Sequence, residues 1–209
     1  PRSLFLEFEI SETFEKAFNG KTRRFLGGIA AAGNVDFDNE QIVLNNLNYN
    51  YLKKSQTKLI NGTGIYFNFF KFKKNRFSKK INFLLIARLL YSKGVINYLD
   101  AAEKLSKRFK NKCSFSIAGI VDKNIKDHIP KKILEKKIKL SNTKVYYNIR
   151  DVRSLILKSN CVVLPTIYNE GLPRSLLEAA AMGRPIITTN VSGCKRVGKN
   201  NYNALIYNK

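Results

Sequence analysis

Residues 161–189 read CVVLPTIYNEGLPRSLLEAAAMGRPIITT. The first five are apolar without a break, the pattern of a strand covered on both faces. Residues 173–182 then read as a helix. Pro173 suits its first turn, where a missing N–H is no loss; Gly183 supplies the stop and Pro185 prevents continuation. Residues 185–189 return to a strand. The helix start therefore lies just beyond a strand's carboxyl end, with backbone N–H groups free near Gly171 and Leu172. That is an anion site by construction.

The same rhythm extends upstream. Strands are predicted at 83–87, 113–120 and 144–147, and helices at 94–109, 126–138 and 151–159. In the first of these helices Val95, Tyr98, Leu99, Ala102 and Leu105 recur at helical spacing. Apolar strands separated by helices place the chain in the α/β class, as a Rossmann-like parallel sheet with flanking helices. Such sheets hold ligands outside the carboxyl ends of their strands, so the loops that follow strands are where chemistry is expected. Residues 1–80 follow another pattern. A helix is expected within 12–32 and short strands at 41–44 and 57–60. A Phe-, Lys- and Asn-rich stretch then reads as a linker or hairpin. The division expected is a partial domain over 1–65, a linker over 66–80 and a ligand-binding Rossmann-like domain over 81–209.

Two loops carry the charge that chemistry needs. Glu170 and Glu178 bracket the helix start, and carboxylates accept paired hydrogen bonds from sugar hydroxyls, as the ribose-binding acid of dinucleotide folds does. Arg88 and Lys93 follow the 83–87 strand and stand just ahead of a helix, where both cations can converge on a diphosphate; Gly94 permits the tight turn. The two carboxylates alone would repel phosphate. A helix N-terminus contributes roughly half a positive charge, and Arg88 and Lys93 each add a full one, so the site as a whole attracts phosphate while the carboxylates hold hydroxyls. A ligand with a diphosphate and sugar hydroxyls is a nucleotide sugar. Taken singly, each residue also fits an ordinary role: Arg88 and Lys93 as solvated loop charges, Glu178 as a common helix residue, Glu170 as a favourable acid at a helix start.

The pair of motifs Arg88…Lys93-Gly94 and Glu170-Gly171-Leu172-Pro173…Glu178, with Met182-Gly183-Arg184-Pro185 downstream, resembles the retaining GT-B glycosyltransferases of family 4 (group 1). The resemblance runs from residue 57 to the end and takes in Ala118-Gly119, Asp151-Val152 and Gly193-Cys194. It implies the C-terminal donor domain of a GT-B enzyme together with the tail of the N-terminal acceptor domain. By resemblance, Arg88 and Lys93 hold the donor diphosphate, Glu178 the ribose, and Glu170 faces the transferred sugar. The Gly171 and Leu172 amides lie near the phosphates, and Asn148, Ile149 and Arg150 meet the base. Glu170, Arg88 and Lys93 are the residues expected to act in catalysis. The implied reaction moves a sugar from a nucleoside-diphosphate donor, with a UDP-sugar expected, to a glycan or polyprenyl-diphosphate-linked acceptor of lipid-linked oligosaccharide, capsule or O-antigen type. Cations and amides meet the diphosphate charge, so no metal or other cofactor is expected. The chain departs from the family at Ala87, where glycine is usual, and in carrying only the tail of the acceptor domain. It is expected to bind donor without turnover when isolated.

Charge bears on partners. Lys and Arg number 38 against 15 Asp and Glu, a net charge of +23. Such a surface favours polyanions, and beside an anionic leaflet each Lys or Arg is worth ~1 kcal/mol. A cytoplasmic protein, peripheral at the inner face of the plasma membrane, is expected. A coding bias toward Lys, Asn and Ile explains the same excess, since the Lys clusters at 71–74 and 131–137 are short. The rival readings are a nucleic-acid or polyanion-binding module and a catalytically dead donor-binding fragment. No nucleic-acid recognition motif is present, and nucleic acid is not an expected partner. No apolar run approaches the ~20 residues of a membrane span. The sequence opens on Pro1 without a signal-peptide pattern and stops short of the helices that close the family's second domain, so both ends are expected to be internal to a longer protein. Cys113, Cys161 and Cys194 lack metal-ligand spacing and suit a reducing compartment. His128 is expected at the surface or in a cap. Asp36-Phe37-Asp38 has the form of a metal-binding pair without a strand directly ahead of it, Gly62-Thr63-Gly64 lacks the third glycine of a dinucleotide turn, and Asn61-Gly62-Thr63 fits a glycosylation sequon; loop roles are expected for all three.

Overall fold

The computed structural model describes residues 64–74, 80–110 and 112–208, together with three strands of the preceding region. The chain divides into two compact units, Pro1–Gly64 and Ile65–Lys209. In the first, β1 (Arg24–Leu26), β2 (Gln41–Val43) and β3 (Thr57–Leu59) form a parallel sheet in that order. β2 and β3 fall where strands are expected. β1 falls inside 12–32, where a helix is expected; Arg24, Phe25 and Leu26 are extended because each pairs with a residue of β2, and sheet pairing overrides local preference. The rest of 12–32, and Asp36, Asp38 and Asn61–Thr63, lie outside the described residues.

The second unit runs β4 (Ile81–Arg88), α1 (Val95–Phe109), β5 (Cys113–Ile120), α2 (Lys131–Ser141), β6 (Lys144–Tyr147), α3 (Arg153–Lys158), β7 (Cys161–Leu164), α4 (Arg174–Ala181), β8 (Ile186–Thr189), α5 (Ser192–Val197) and β9 (Ala204–Tyr207). The six strands are all parallel, in the order β6-β5-β4-β7-β8-β9. This is the α/β, Rossmann-like sheet that the apolar strands predict. In β4 the neighbours Leu84 and Leu85 are both fully buried, so the strand is covered on both faces. Leu85 packs with Val95, Leu99 and Ala102 of α1, Ile117 of β5 and Leu134 of α2. Leu84 packs on the other face with Ala118, Ile156 and Met182. Each such leucine contributes ~1.5–3 kcal/mol. A third cluster joins Val162 and Leu164 of β7 to Leu176, Ala179, Ile186, Cys194 and Ala204. The Tyr98 hydroxyl of α1 lies 3.0 Å from the carbonyls of both Phe83 and Ser116, tying the helix to β4 and β5.

Three stretches depart from the expected elements. α2 begins at Lys131, not at 126, because Pro130 occupies its N-cap at ψ 137°; proline and the residue before it both resist helix. Residues before it turn instead, with His128 Nδ1 2.8 Å from the Ile125 carbonyl. α5 and β9 have no counterpart in the periodicity: α5 is six residues long, β9 four, and each owes its form to packing on β8. Finally, residues 65–74, within the stretch that reads as linker or hairpin, are packed against the rest of the second unit. Phe70 joins the Leu84 cluster, and the Arg184 guanidinium donates to the Lys73 carbonyl at 2.9 Å. Arg184 is 3% exposed. It also donates to the carbonyls of Ile156 at 3.0 Å, Met182 at 3.2 Å and Leu157 at 3.3 Å. Among the described residues no helix is long and apolar enough to cross a membrane.

Candidate functional site

The strand order reverses between β4 and β7. The chain lays β5 and β6 to one side of β4, then returns to place β7, β8 and β9 on the other. β4 pairs with β5 from Ile81↔Cys113 to Arg88↔Ile120, whereas its ladder with β7 consists of Phe83↔Cys161 and Leu84↔Val162. The loops that leave the carboxyl ends of β4 and β7 flank the place where open α/β sheets hold ligands.

Those two loops are built into one another. Gly94 caps α1 at φ 72°, and a Cβ added there would lie 2.0 Å from the Pro165 carbonyl oxygen. Two residues earlier, the Ser92 carbonyl accepts from the Thr166 hydroxyl at 3.0 Å, the Ile167 amide at 2.9 Å and the Tyr168 amide at 3.3 Å. Lys93 is thereby aimed at the loop after β7, where its ammonium pairs with Glu170 Oε1 and stands 5.1 Å from the Tyr168 ring centroid. The fully buried Thr166 places its hydroxyl 3.2 Å from the same Glu170 oxygen. The start of α5 closes on this loop as well: a Cβ on Gly193 would meet the Glu170 carbonyl oxygen at 2.3 Å and that of Gly171 at 2.4 Å.

α4 starts from the same loop. Pro173 is its N-cap, one residue earlier than the first-turn position, and its carbonyl accepts from the Leu176 and Leu177 amides at 3.1 Å. Among the described residues the Gly171 and Leu172 amides have no acceptor. Glu178 lies one turn further along, buried, with Arg174 Nε 2.9 Å from its Oε1. Burial pushes the Glu178 carboxyl above the ordinary range, the Arg174 hydrogen bond and charge pull it back, and the Asp151 charge adds to the rise. Cys194 is driven up to about 11, chiefly by burial, and Cys161 to about 12; both are neutral thiols at physiological pH and unreactive on that account.

Lys93, Glu170, Gly171 and Leu172 thus form one contact set, with Glu178 along α4. Arg88 ends β4, is 42% exposed, and pairs loosely at 3.8 Å with Asp122 after β5. Asn148, Ile149 and Arg150 follow β6 and are exposed; Asn148 adopts φ 54° and its amide donates to the Gly119 carbonyl at 3.1 Å. Both groups share the carboxyl edge of the sheet with the first set, and among the described residues neither bonds to it. Arg88 and Lys93, read as converging on one ligand, hold different carboxylates. Thr166, Tyr168, Arg174 and Asp122 are additions to the predicted set. The spacing of Arg174 and Glu178 by one helical turn is a signal present in the sequence, as is the place of Thr166 directly after an apolar strand. No local pattern marks Asp122. Among the described residues no three His, Cys, Asp or Glu side chains gather where a cation could be held.

The family model for glycosyl transferases group 1 matches residues 67–209. The chain belongs to that family. Over 169 residues it is 31% identical to N,N'-diacetylbacillosaminyl-diphospho-undecaprenol alpha-1,3-N-acetylgalactosaminyltransferase of Campylobacter jejuni, an alignment covering 74% of the chain and 42% of that enzyme. Anabaena Alr3699/HepE in complex with UDP-glucose shares the fold at a TM-score of 0.67 and 16% identity, over 81% of this chain and 50% of that one. A glycosyltransferase from Rickettsia africae does so at 0.64 and 18%, over 95% and 53%. The chain spans about half the length of these relatives or less. Group 1 glycosyltransferase membership is what the paired motifs around Lys93 and Glu170 imply.

The environment of Glu178 in this glycosyltransferase chain has a consequence for stability. Its folded carboxyl titrates above the ordinary value of 4.5. A raised carboxyl contributes stability that is complete below the unfolded pKa and is lost as pH rises through the folded one. At neutral pH Glu178 therefore weighs against folding. Glu178→Gln is expected to melt at a higher temperature than wild type at pH 7.5 and at the same temperature at pH 4. Arg174, partly exposed, stays solvated in the variant. A lower melting temperature for Glu178→Gln at pH 7.5 would show that the Arg174 pair outweighs the burial.

Proposed function

We propose that this chain supplies the donor site of a glycosyltransferase that moves a sugar from a UDP-sugar to a glycan or polyprenyl-diphosphate-linked acceptor. The observation that carries the proposal is the Lys93–Glu170 pair set beside the unengaged amides of Gly171 and Leu172 at the start of α4. A diphosphate at that helix start draws the amides and Lys93 and leaves Glu170 to face the sugar. Glu178, held by Arg174, accepts hydrogen bonds from the ribose hydroxyls. The exposed backbone of Asn148, Ile149 and Arg150 meets the base. Arg88 leaves Asp122, a pair too exposed and too long to hold it firmly, and joins the diphosphate. As the glycosidic bond to the diphosphate breaks, the growing negative charge meets Lys93, Arg88 and fixed amide dipoles; this scheme calls for no metal.

The UDP-glucose complex of the Anabaena neighbour and the undecaprenol-diphosphate substrate in the Campylobacter relative's name support the choice of UDP and of a lipid-linked acceptor. The charge of +23 supports a station on the anionic inner leaflet of the plasma membrane. Turnover in this proposal needs more protein than the present chain, which spans 42% of the Campylobacter enzyme. The test is calorimetric titration of wild type and Glu178→Ala with UDP, UDP-sugars and a short DNA duplex. The expected result is saturable UDP binding that weakens at least about tenfold in the variant, as the loss of hydrogen bonds to a charged group implies. Absence of nucleotide binding, together with tight and strongly salt-dependent duplex binding, overturns the proposal in favour of a polyanion-binding module.

A further inference from the structure

We infer that Thr166 is a positioning residue for Glu170: its hydroxyl holds the Glu170 carboxylate toward the transferred sugar once Lys93 has gone over to the diphosphate. The inference rests on the donor-site reading above. Thr166 is fully buried, and its oxygen has three neighbours: the Ser92 carbonyl at 3.0 Å, Glu170 Oε1 at 3.2 Å and the Tyr168 amide at 3.2 Å. The Tyr168 amide donates to it. The hydroxyl has one proton for the two acceptors that remain. The Ser92 carbonyl already accepts from the Ile167 amide at 2.9 Å and does not depend on the hydroxyl. Glu170 does. Its side chain is 12% exposed, so an oxygen that loses Lys93 has little water to turn to, and a buried charge left without a partner is costly. A carboxylate is also the stronger acceptor of the two. The hydroxyl proton therefore belongs to Glu170 whenever Lys93 is engaged elsewhere.

The backbone around this contact is rigid at both ends. The Thr166 carbonyl accepts from the Thr189 hydroxyl of β8, so the hydroxyl is presented from the end of the sheet. The backbone of Glu170 is pressed against Gly193. The freedom that remains is the rotation of the Glu170 side chain, which the hydroxyl removes. The β-branched Thr is itself stiff at χ1.

Thr166→Val removes the hydroxyl at constant shape, and Thr166→Ser keeps it. The measurement is calorimetric affinity for UDP and for the tighter-binding of UDP-glucose and UDP-N-acetylgalactosamine. Wild type is expected to bind the UDP-sugar more tightly than UDP. Thr166→Val is expected to bind UDP within about twofold of wild type while its preference for the UDP-sugar falls about tenfold, the scale of one hydrogen bond to a charged group; Thr166→Ser restores the preference. Equal weakening toward UDP and UDP-sugar in Thr166→Val means that the hydroxyl only stitches Ser92 to the loop, and overturns the inference. So does an unchanged preference in the valine variant, a serine variant that fails to restore it, or a wild type without any preference. UDP binding by Thr166→Val serves as its own check of folding, and Thr166→Ala is measured in its place if that binding is lost. A wild type that binds no UDP overturns the donor-site reading and this inference together; UDP binding with an unchanged preference overturns this inference alone.

Discussion

Gly94→Ala is expected to destabilise the chain by about 2–5 kcal/mol and to abolish nucleotide binding. Two costs add. An alanine at φ 72° carries the left-handed penalty of ~1–2 kcal/mol. Its Cβ would also fall 2.0 Å from the Pro165 carbonyl oxygen and 2.6 Å from the carbonyl carbon. Both atoms are backbone, so no side chain can rotate away, and the start of α1 must part from the end of β7 at an overpacking cost of ~1–3 kcal/mol. In a chain of this length each kcal/mol lowers Tm by ~2–4 °C, so a fall of roughly 10 °C is expected in a thermal melt. Lys93 and Glu170 are drawn apart by the same movement, which is why binding goes with stability. Gly64→Ala is the control: it has φ 67° and no described atom within 4 Å of an added Cβ, so it carries the strain of ~1–2 kcal/mol without the clash. Equal losses at the two positions would show that contact with Pro165 is not what demands glycine at 94.

Arg184→Met is expected to cost about 3 kcal/mol and to loosen residues 65–74 from the rest of the second unit. The guanidinium meets the carbonyls of Lys73, Ile156, Leu157 and Met182. Methionine fills most of the volume and supplies none of the donors. Hydrogen bonds to a charged group contribute ~1.5–3 kcal/mol each, offset in part because the buried cation no longer has to be kept out of water. Lysine, with a single ammonium in place of a planar fork, cannot reach four carbonyls on three segments, so Arg184→Lys is expected to fall nearer methionine than wild type. Thermal melts give the stability. Limited proteolysis at the Lys residues of 71–74 gives the loosening, and protection equal to wild type there would refute the pinning role.

Which features are legible in the sequence follows from how far away their causes lie. β4 and β7 are apolar on adjacent residues because both of their faces are covered, and that pattern is visible without knowing what covers them. The start of α4 is legible because Pro173, Gly183 and the two glutamates act within a few residues. The offset of α2 comes from a residue that is itself visible, Pro130, which moves the start to Lys131 and leaves Ile133, Leu134 and Ile138 inside the helix. The role of Arg184 is not legible: its partner at Lys73 is 111 residues away. Nor is the contact of Thr166 with Ser92, 74 residues distant, although its place after an apolar strand and four residues ahead of Glu170 is visible. β1 is extended for the same kind of reason, a neighbouring strand that local preference does not know about. Arg88 is the intermediate case. Its place at a strand end is visible, but its partner Asp122 comes from the next strand's loop.

The narrow seam between β4 and β7 bears on how the molecule acquires its site in time. β4, β5 and β6, with α1 and α2, are joined by long ladders between strands that follow one another along the chain, and such contacts close small loops early in folding. Joining the other half requires Lys93 to find Glu170, 77 residues away, across a ladder of two residue pairs. Loop closure of that span comes late. Because the predicted ligand groups are drawn from both halves, neither half can recruit a nucleotide while the other is still searching. The ability to bind should therefore emerge in the last kinetic phase of folding, after most of the secondary structure is in place, and a nucleotide present during refolding should stabilise the joined state without hastening the joining.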